Sequence, residues 1–559
     1  MIKAEPRTTE ETIAAPTTSR IPSIVLAVAV VAFVVSLAFS PSPAVDLFWQ
    51  MRTGQLIAST HAVPHHDTFS WTRYGHPWIV HEWAMCLLLW ETFQAGGFTD
   101  VWLLEAGLLS IIFLTLYSIL LHETRAASIT AFCLTLWAAK ISSPFISPRP
   151  HLFTYLFLIV TVGILVDART RRQSLRMWLL VPICAVWANF HGGVILGVAL
   201  IALFGICDLI QARISADHGL VDLGKRELLI AVCCALALSL NPYGWRIYEI
   251  FTQTVGNRTM PSFVSEWSAL DFHDSLGLLF ELLFAMTIAG LALTREPRRL
   301  AEIAAVALLA HASVTASRNV PLFAFTAMIV AGRHIQSAFD RVLATKGEER
   351  SSIFGPTPPI VVPILVAVAV MLQSALFAVD QMRSNPDRST GLARAASTSF
   401  ALHFFPAGAV NFIEAERFPA GWRMYNDYNL GSYLLWMMPK RKISMDTQTD
   451  VFFGKVLDDY ARLDQQPFDW PSIIGRYNPD FVLMSASEPQ AYLFGASPSW
   501  ALVWADSANL DAGGSSNVLI FVRNTPANAA FIDRCRLDCP TLRKHPEMTA
   551  IPLTTEAAP

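Results

Sequence analysis

The chain has 559 residues, of which 53% are hydrophobic and only 15% are charged, and its mean hydropathy is +0.42. Soluble domains carry about 25% charged residues, so this composition argues against an ordinary soluble protein. The net charge is −3, and the sequence contains no long basic run or zinc-finger spacing, so we expect no nucleic-acid partner.

Eleven hydrophobic segments are candidates for membrane-spanning helices, which need roughly 17–25 mostly apolar residues. They cover residues 22–40, 101–121, 126–142, 151–168, 177–189, 193–211, 227–240, 276–294, 300–316, 319–332 and 358–380. Because several are shorter than a full span, the count of eleven is approximate. The pattern predicts a mainly α-helical protein built on a polytopic transmembrane bundle.

The distribution of Lys and Arg predicts the orientation of the chain, because cytoplasmic loops carry an excess of positive charge. With the N-terminus in the cytoplasm, eighteen of these side chains fall on the cytoplasmic side and seven on the other side before residue 381. We therefore expect a cytoplasmic tail over residues 1–21 and a membrane domain over 22–380, with a first outer loop over 41–100. Residues 381–559 then lie outside the cytoplasm.

A compact α/β domain is predicted for residues 381–559. Residues 481–484 (FVLM) and 518–522 (VLIFV) are short apolar runs typical of β-strands. Cys535 and Cys539 lie in a polar stretch near the C-terminus. A local disulfide between them is expected if this region is outside the cytoplasm.

The first outer loop is long and rich in ionisable and aromatic side chains. Asp46 follows the first span directly, His66 and Asp67 lie near the middle of the loop, and His81 and Glu82 lie further on. Aromatic residues interleaved with carboxylates and imidazoles are typical of a segment at the membrane interface that faces a polar cavity.

Four further polar side chains lie in short turns on the same predicted outer side, namely Arg149, Asn189, His191 and Arg318. Arg149 and Arg318 are each a lone cation between apolar spans, and such residues usually face the bundle interior and pair with an anion. A substrate phosphate is one such partner, because Arg presents a planar fork of donors. The alternative is that both side chains extend to the membrane interface.

The imidazoles and carboxylates of the first outer loop also suggest a metal site. His66 and Asp67 are adjacent and offer nitrogen and oxygen ligands to a divalent cation such as Mg²⁺ or Mn²⁺. The histidine spacing matches no strong metal signature, and His81-Glu82 lacks the second histidine of a zincin helix. A polar loop without a metal is therefore the alternative.

Together these features resemble the multi-spanning glycosyltransferases of the GT-C superfamily, in particular bacterial members with a long first outer loop and a C-terminal periplasmic domain. The resemblance rests on Asp46 directly after the first span, on the His66-Asp67 and His81-Glu82 pairs, and on the architecture. It covers residues 20–380. It implies a multi-pass protein of the bacterial inner membrane, surrounded by membrane lipids, with a periplasmic C-terminal domain.

The resemblance also implies a polyprenyl-phosphate or polyprenyl-diphosphate sugar as the donor. The acceptor would lie outside the cytoplasm and be a glycan, a lipid or a protein. Asp46 matches the carboxylate that acts as the base or positions the acceptor, and Asp67 or Glu82 would be the second acidic residue. His66 or His81 would orient the acceptor or hold a cation.

Basic, polar and aromatic residues take the substrate-binding roles in this resemblance. Arg149 and Arg318 would bind the donor phosphate. His191 and Asn189 would bind substrate at the neighbouring turn. Trp49 would stack on a sugar face or anchor the loop in the membrane interface.

Two other functions are open from the sequence. Many GT-C enzymes carry two adjacent acidic residues in this loop, whereas Leu47 follows Asp46 here. A non-catalytic scaffold of envelope glycan assembly is therefore one alternative. The other is a transporter of lipid-linked cargo, which would place ionisable residues near the bilayer midplane rather than at one face. Tolerance of Asp46→Asn would separate a scaffold from an enzyme.

Overall fold

A computed structural model describes residues 21–42, 44–169, 175–257, 259–262, 264–344, 360–385, 389–465, 469–505 and 518–537. The predicted cytoplasmic tail up to residue 20 and Cys539 of the predicted disulfide lie outside these residues. Along the described chain a helical region extends to Ser384, and a mixed region of helices and a small sheet follows it.

The first region, in its described part, contains thirteen α-helices. They are α1 (Ile21–Leu37), α2 (Leu47–Thr60), α3 (Trp83–Glu123), α4 (Ser128–Ser142), α5 (His151–Ala168), α6 (Leu180–Phe190), α7 (Val194–Ser215), α8 (His218–Ala237), α9 (Ile247–Gly256), α10 (Ser275–Leu293), α11 (Leu300–Thr315), α12 (Val320–Ala344) and α13 (Val361–Ser384). Each of the eleven predicted hydrophobic segments overlaps one of these helices, which confirms the predicted helical bundle. The hydrophobic pattern does not predict α2 and α9.

Five helices of the described chain are long and apolar enough to cross a bilayer, namely α3, α5, α7, α10 and α13. Helices α1 and α11, and the segment of residues 175–190 that includes α6, are apolar but shorter. Helix α8 carries Lys225, Arg226 and Glu227 within its length, which lowers its hydropathy. Spans of this length and composition identify a membrane protein.

Helices α2 and α3 bring two carboxylates to the same end of the bundle. The two helices run side by side in the same direction, since Gln50 contacts Glu82 and the next turn packs Gly54 on Cys86. A Cβ at Gly54 would lie 2.0 Å from the Cys86 carbonyl oxygen, so this close approach requires glycine. Asp46 and Glu82 directly precede the two helices, and neither side chain caps its own helix.

Helix α3 is broken near its first third. The backbone leaves helical geometry at Gly96 and at Gly97, where φ is 66° and ψ is −153°. Only glycine adopts such angles without strain. The break separates the first part of α3, which packs on α2, from the longer apolar part.

The C-terminal region is a mixed α/β structure, as predicted. In its described part it contains the helices α14 (Gly391–Ser399), α15 (Ala407–Ala415), α16 (Tyr428–Met437), α17 (Lys455–Gln465), α18 (Trp470–Tyr477), α19 (Pro489–Ala496) and α20 (Ala529–Cys535), and the strands β1 (Met424–Asn426), β2 (Phe481–Ser485), β3 (Trp500–Ala505) and β4 (Val518–Arg523). The two predicted strands are β2 and β4.

The strands form one sheet in the order β1-β2-β4-β3. Strand β1 pairs with β2 in parallel, and the other neighbours are antiparallel. Strands β2 and β4 occupy the centre of the sheet and are almost completely buried. Their continuous apolar sequences follow from this burial on both faces.

The first outer loop is bound to the C-terminal region through backbone hydrogen bonds. The Trp71 amide donates to the Ile443 carbonyl at 2.9 Å, and the Ile443 amide donates to the Phe69 carbonyl at 3.3 Å. The Trp71 indole nitrogen also donates to the carbonyl of Met424 at 2.9 Å. The segment around residues 424–453 is thereby held against the loop that carries Asp46 and Glu82.

Candidate active site

A cavity of about 970 Å³ lies where loops at one end of the helical region meet the C-terminal region. Its charged and polar lining includes Asp46, Gln50, His81, Glu82, Arg149, His151, His191, Glu266, Arg318, Asn319, Tyr428, Asn429, Gln448 and Asp450. All the loops that supply these side chains belong to the side predicted to face away from the cytoplasm. Ile195 and Leu196 of α7 and Leu322 of α12 add apolar side chains to the cavity wall.

Asp46 and Arg149 form an ion pair inside the cavity. Arg149 Nη2 lies 2.5 Å from Asp46 Oδ2, and the Trp49 indole nitrogen donates to Asp46 Oδ1 at 3.4 Å. Burial would lower the pKa of Arg149, but the carboxylates of Asp46 and Glu266 raise it. The guanidinium therefore stays charged in this buried position.

Glu266 joins the two arginines that were predicted to bind phosphate. Its carboxylate accepts two hydrogen bonds from Arg149, both at 3.3 Å, and lies 3.7 Å from Arg318 Nη1. Burial would raise the pKa of Glu266, but Arg149 and Arg318 lower it to about 2. The Arg318 guanidinium also stacks over the Trp267 ring at 4.4 Å from its centroid. Two fixed cations are thus present on one wall of the cavity.

Glu82 and two histidines form a second charged group. Glu82 Oε1 lies 3.4 Å from His81 Nε2 and 3.7 Å from His191 Nε2. The Gly193 amide donates to His191 Nδ1 at 3.1 Å, which directs the other ring nitrogen of His191 towards Glu82. Burial would raise the pKa of Glu82, but His81 lowers it to about 2, so the carboxylate is charged at neutral pH. Conversely, burial would lower the pKa of His81, while Glu82 raises it.

The C-terminal region adds Asp450 to the cavity lining. Asp450 lies in the 3₁₀ turn Thr449–Phe452 and is within electrostatic range of His81 and Glu82. Burial raises the pKa of Asp450 to about 7. Tyr428 and Thr449 also line this part of the cavity, and their hydroxyl oxygens lie 2.6 Å apart.

Seven of the predicted site residues line the cavity, namely Asp46, Trp49, His81, Glu82, Arg149, His191 and Arg318. Asn189 lies next to the cavity, where its side chain accepts a hydrogen bond from the Trp83 indole at 2.8 Å and donates to the Leu240 carbonyl. It links the start of α3 to the end of α8 rather than lining the site.

Asp67 and His66 are not among the lining residues. Asp67 Oδ1 accepts a hydrogen bond from the Phe69 amide at 2.9 Å, and Oδ2 accepts one from the Ser70 hydroxyl at 2.6 Å. His66 forms an isolated β-bridge with Pro77. Asp67 therefore shapes the loop through these hydrogen bonds.

Asp67 is buried and accepts hydrogen bonds from the Phe69 amide and the Ser70 hydroxyl, and His66 pairs with Pro77 through the backbone. Within the described ranges, no group of three or more His, Cys, Asp or Glu side chains is arranged to hold a metal ion. A divalent cation stays an expectation from the sequence, and no step is assigned to it.

Glu266 and Asp450 are among the cavity residues that were not predicted from the sequence. Glu266 lies in the Ser265–Trp267 turn between α9 and α10, and Asp450 lies in the polar run Asp446-Thr-Gln-Thr-Asp450. The signal for Glu266 was its position beside Trp267 in a predicted outer loop, the same context as Arg149 and Arg318. The signal for Asp450 was two carboxylates flanking three polar residues.

Neither a family model nor a curated protein sequence matches the chain. Solved structures do match. The oligosaccharyltransferase of Archaeoglobus fulgidus, tethered to an acceptor peptide with the NVT sequon, superposes with a TM-score of 0.53 at 12% identity. The match covers 83% of this chain and 69% of that one. The apo form of the same enzyme gives a TM-score of 0.49 at 11% identity with the same coverage.

ArnT from Cupriavidus metallidurans, bound to undecaprenyl phosphate, gives a TM-score of 0.46 at 15% identity and covers 90% of this chain and 98% of that one. At these identities the comparisons bear on the fold alone. The likeness to the tethered oligosaccharyltransferase shows a GT-C-type fold, which confirms the fold expected from the sequence resemblance.

Proposed function

We propose that the protein is a membrane glycosyltransferase that moves a sugar from a polyprenyl-phosphate-linked donor to an acceptor outside the cytoplasm. One observation carries the proposal. A single cavity at the loop end of a GT-C-type bundle contains two fixed arginines, six carboxylates and a set of apolar side chains. This combination suits a substrate with an anionic head and a lipid tail.

Arg149 and Arg318 are the proposed binding groups for the donor phosphate. Both guanidiniums contact Glu266, at 3.3 and 3.7 Å, so their positions are fixed before substrate arrives. Arg binds phosphate oxygens through a planar fork of donors, and preorganised cations stabilise the charge of a departing phosphate. The apolar lining residues Leu196 and Leu322 offer contacts to the first part of the lipid.

The chemistry requires an oxocarbenium-like transition state at the anomeric carbon of the donor sugar. The bond between this carbon and the phosphate oxygen breaks, and the phosphate leaves with the electron pair. A phosphate paired with arginines is a good leaving group, so no strong general acid is required on that side. The acceptor must lose a proton, which requires a base.

Asp46 was predicted from the sequence to be that base, and this role stays a prediction. Its 2.5 Å contact with Arg149 supports a further role, which is to orient the guanidinium towards the phosphate. Removing the charge of Asp46 would leave Arg149 with Glu266 as its remaining carboxylate partner, and it would turn away from the donor. We therefore expect Asp46→Asn to weaken donor binding.

The proposed location is the bacterial inner membrane, with the cavity on the periplasmic side. The distribution of Lys and Arg supports this orientation, because the loops that line the cavity belong to the side with fewer positive charges. The donor would reach the cavity from the membrane, and the acceptor would reach it from the periplasm.

The test is carrier-phosphate release by purified protein in nanodiscs, using a panel of polyprenyl-phosphate sugars. Wild type should turn over at least one donor. Arg149→Ala should raise the donor Kd by roughly thirtyfold, since truncating one member of a buried charge pair costs about 2 kcal/mol or more. Arg246→Ala is the matched control, because this exposed arginine lies in an outer loop and pairs with Glu249.

Asp46→Asn and an EDTA arm complete the design. A higher donor KM in Asp46→Asn supports its role in orienting Arg149, and a lower turnover at saturating donor supports its role as the base. Loss of turnover in EDTA would show that the activity requires a divalent cation. If neither wild type nor Asp46→Asn releases carrier phosphate from any donor, a non-catalytic scaffold becomes the better description of the protein.

A further inference from the structure

Asp450 is a cavity carboxylate that the donor-binding scheme does not use. We propose that Asp450, supplied by the C-terminal region, accepts the proton from the nucleophilic hydroxyl of the acceptor. The assignment rests on the proposed transferase function. It gives the proton-accepting role to Asp450, in place of Asp46, and leaves Asp46 the role of orienting Arg149.

Hydrogen bonds from the C-terminal region hold the residues that directly precede Asp450. The Tyr428 hydroxyl contacts Thr449 Oγ1 at 2.6 Å, and the Ser432 hydroxyl contacts Thr447 Oγ1 at 3.0 Å. On the preceding turn the Gln448 amide donates to Asp446 Oδ1 at 2.9 Å. These contacts position the turn that carries Asp450, and a general base must be positioned to act efficiently.

Three of the other cavity carboxylates each have a charged or imidazole partner. Asp46 lies 2.5 Å from Arg149, Glu266 is shared by two arginines, and Glu82 lies beside His81 at 3.4 Å. A carboxylate whose negative charge is stabilised by such a partner is a weak base at neutral pH. The low pKa of Glu82, at about 2, illustrates this effect.

Asp450 has a different environment. The titratable groups that face it from the surrounding elements are His81, Glu82, Cys86, Tyr243 and Asp446. Burial raises the pKa of Asp450 to about 7, with His81 opposing and Glu82 reinforcing the shift. A base is most effective when its pKa is near the working pH, which is the condition that this burial creates.

The proposed step balances as follows in atoms and charge. The acceptor O–H bond breaks and its proton moves to an Asp450 carboxylate oxygen, while the acceptor oxygen bonds to the anomeric carbon of the donor sugar. The bond from that carbon to the phosphate oxygen breaks, and its electron pair leaves with the carrier phosphate next to Arg149 and Arg318. The proton then passes from Asp450 to water when the products leave the cavity.

The experiment compares the kinetics and pH dependence of Asp450→Asn with those of wild type. Asp450→Asn should lower kcat by about 100-fold or more, the usual contribution of a general base, and leave the donor KM within a factor of about two. Asp450→Glu should recover part of the activity. Asp533→Asn, an exposed carboxylate on α20, is the matched control, and thermal unfolding of each variant reports on folding.

The sign of the pH effect follows from the direction of proton transfer. Because a base must be unprotonated, wild-type kcat/KM should rise with pH through about 7, and this rise should be absent in Asp450→Asn. If wild type is active and Asp450→Asn turns over within threefold of it with the same rise with pH, Asp450 is not the base. The proposed transferase function would then still stand. Lack of wild-type turnover across the donor panel would overturn the proposed function and this assignment together.

Discussion

Both oxygens of the Asp67 carboxylate accept hydrogen bonds from the chain around them, and the side chain is buried. Asp67→Ala would leave the Phe69 amide and the Ser70 hydroxyl without this acceptor. Since each buried group left unsatisfied costs about 1–3 kcal/mol, we expect a lower thermal midpoint, measured by tryptophan fluorescence in detergent. Asp67→Asn should cost less, because its amide oxygen still accepts from the Phe69 amide.

A different result would support the catalytic role that the sequence predicted for Asp67. That role requires Asp67→Asn to abolish carrier-phosphate release while the thermal midpoint is unchanged. Ser70→Ala serves as the control, because it removes one of the same hydrogen bonds without touching the carboxylate.

At the scale of residues, the sequence was most informative where a charged side chain stands alone between apolar segments. Arg149 and Arg318 line the cavity as expected, because an isolated cation in such a turn must face a polar space. Glu266 and Asp450 were not predicted, since their loops contain several other polar residues and the local signal of each is weak. The roles of all four stay predictions until they are measured.

The break in α3 is a feature of the element scale. Gly97 has φ of 66° and ψ of −153°, a region open in practice to glycine alone. We expect Gly97→Ala to lower the free energy of unfolding by about 1–3 kcal/mol and to lower turnover, because the part of α3 that follows Glu82 would be displaced.

Gly107 provides a control in the same helix. A Cβ added at Gly107 meets no atom within 4 Å, and the residue is in regular helix. Gly107→Ala should therefore be neutral or stabilising by up to about 1 kcal/mol. Equal thermal midpoints for Gly97→Ala and wild type would show that the break tolerates a side chain.

The hydrophobic pattern predicted the elements whose sequences are long or continuous apolar runs. Long apolar runs such as α7 and α13 follow directly from composition, and so do the central strands β2 and β4. Helix α2 was not predicted, because its short sequence LFWQMRTGQLIAST mixes apolar and polar residues without a long apolar run. The pattern also carries no signal for the parallel course of α2 and α3, which depends on contacts such as that of Gly54 with Cys86.

At the scale of the whole molecule, the cavity is completed by contacts that are distant in sequence. The Trp71 indole donates to the carbonyl of Met424, which lies 353 residues further along the chain. The sequence predicted an α/β region on the outer side, but it could not show that residues 428–453 close the cavity. No local pattern specifies a contact between two such distant loops.

This docking makes the activity depend on Trp71, although Trp71 does not line the cavity. Its ring contacts Tyr477 edge to face at 6.1 Å between centroids, and the Arg423 guanidinium lies over it at 5.6 Å. Trp71→Ala removes these contacts and the hydrogen bond to Met424, so the segment that carries Asp450 should become mobile relative to Glu82. We expect turnover to fall by about tenfold or more, which corresponds to an activation free energy higher by at least about 1.4 kcal/mol. We also expect faster proteolysis of the C-terminal region.

Trp71→Phe separates the two kinds of contact, because it retains a stacking ring and loses the indole donor. It should therefore be intermediate in turnover and in the rate of proteolysis. Trp178→Ala, which removes a partly exposed indole in the turn before α6, should leave both properties unchanged. Normal turnover in Trp71→Ala, with the C-terminal region still protected, would mean that the remaining backbone hydrogen bonds to Ile443 suffice to close the cavity.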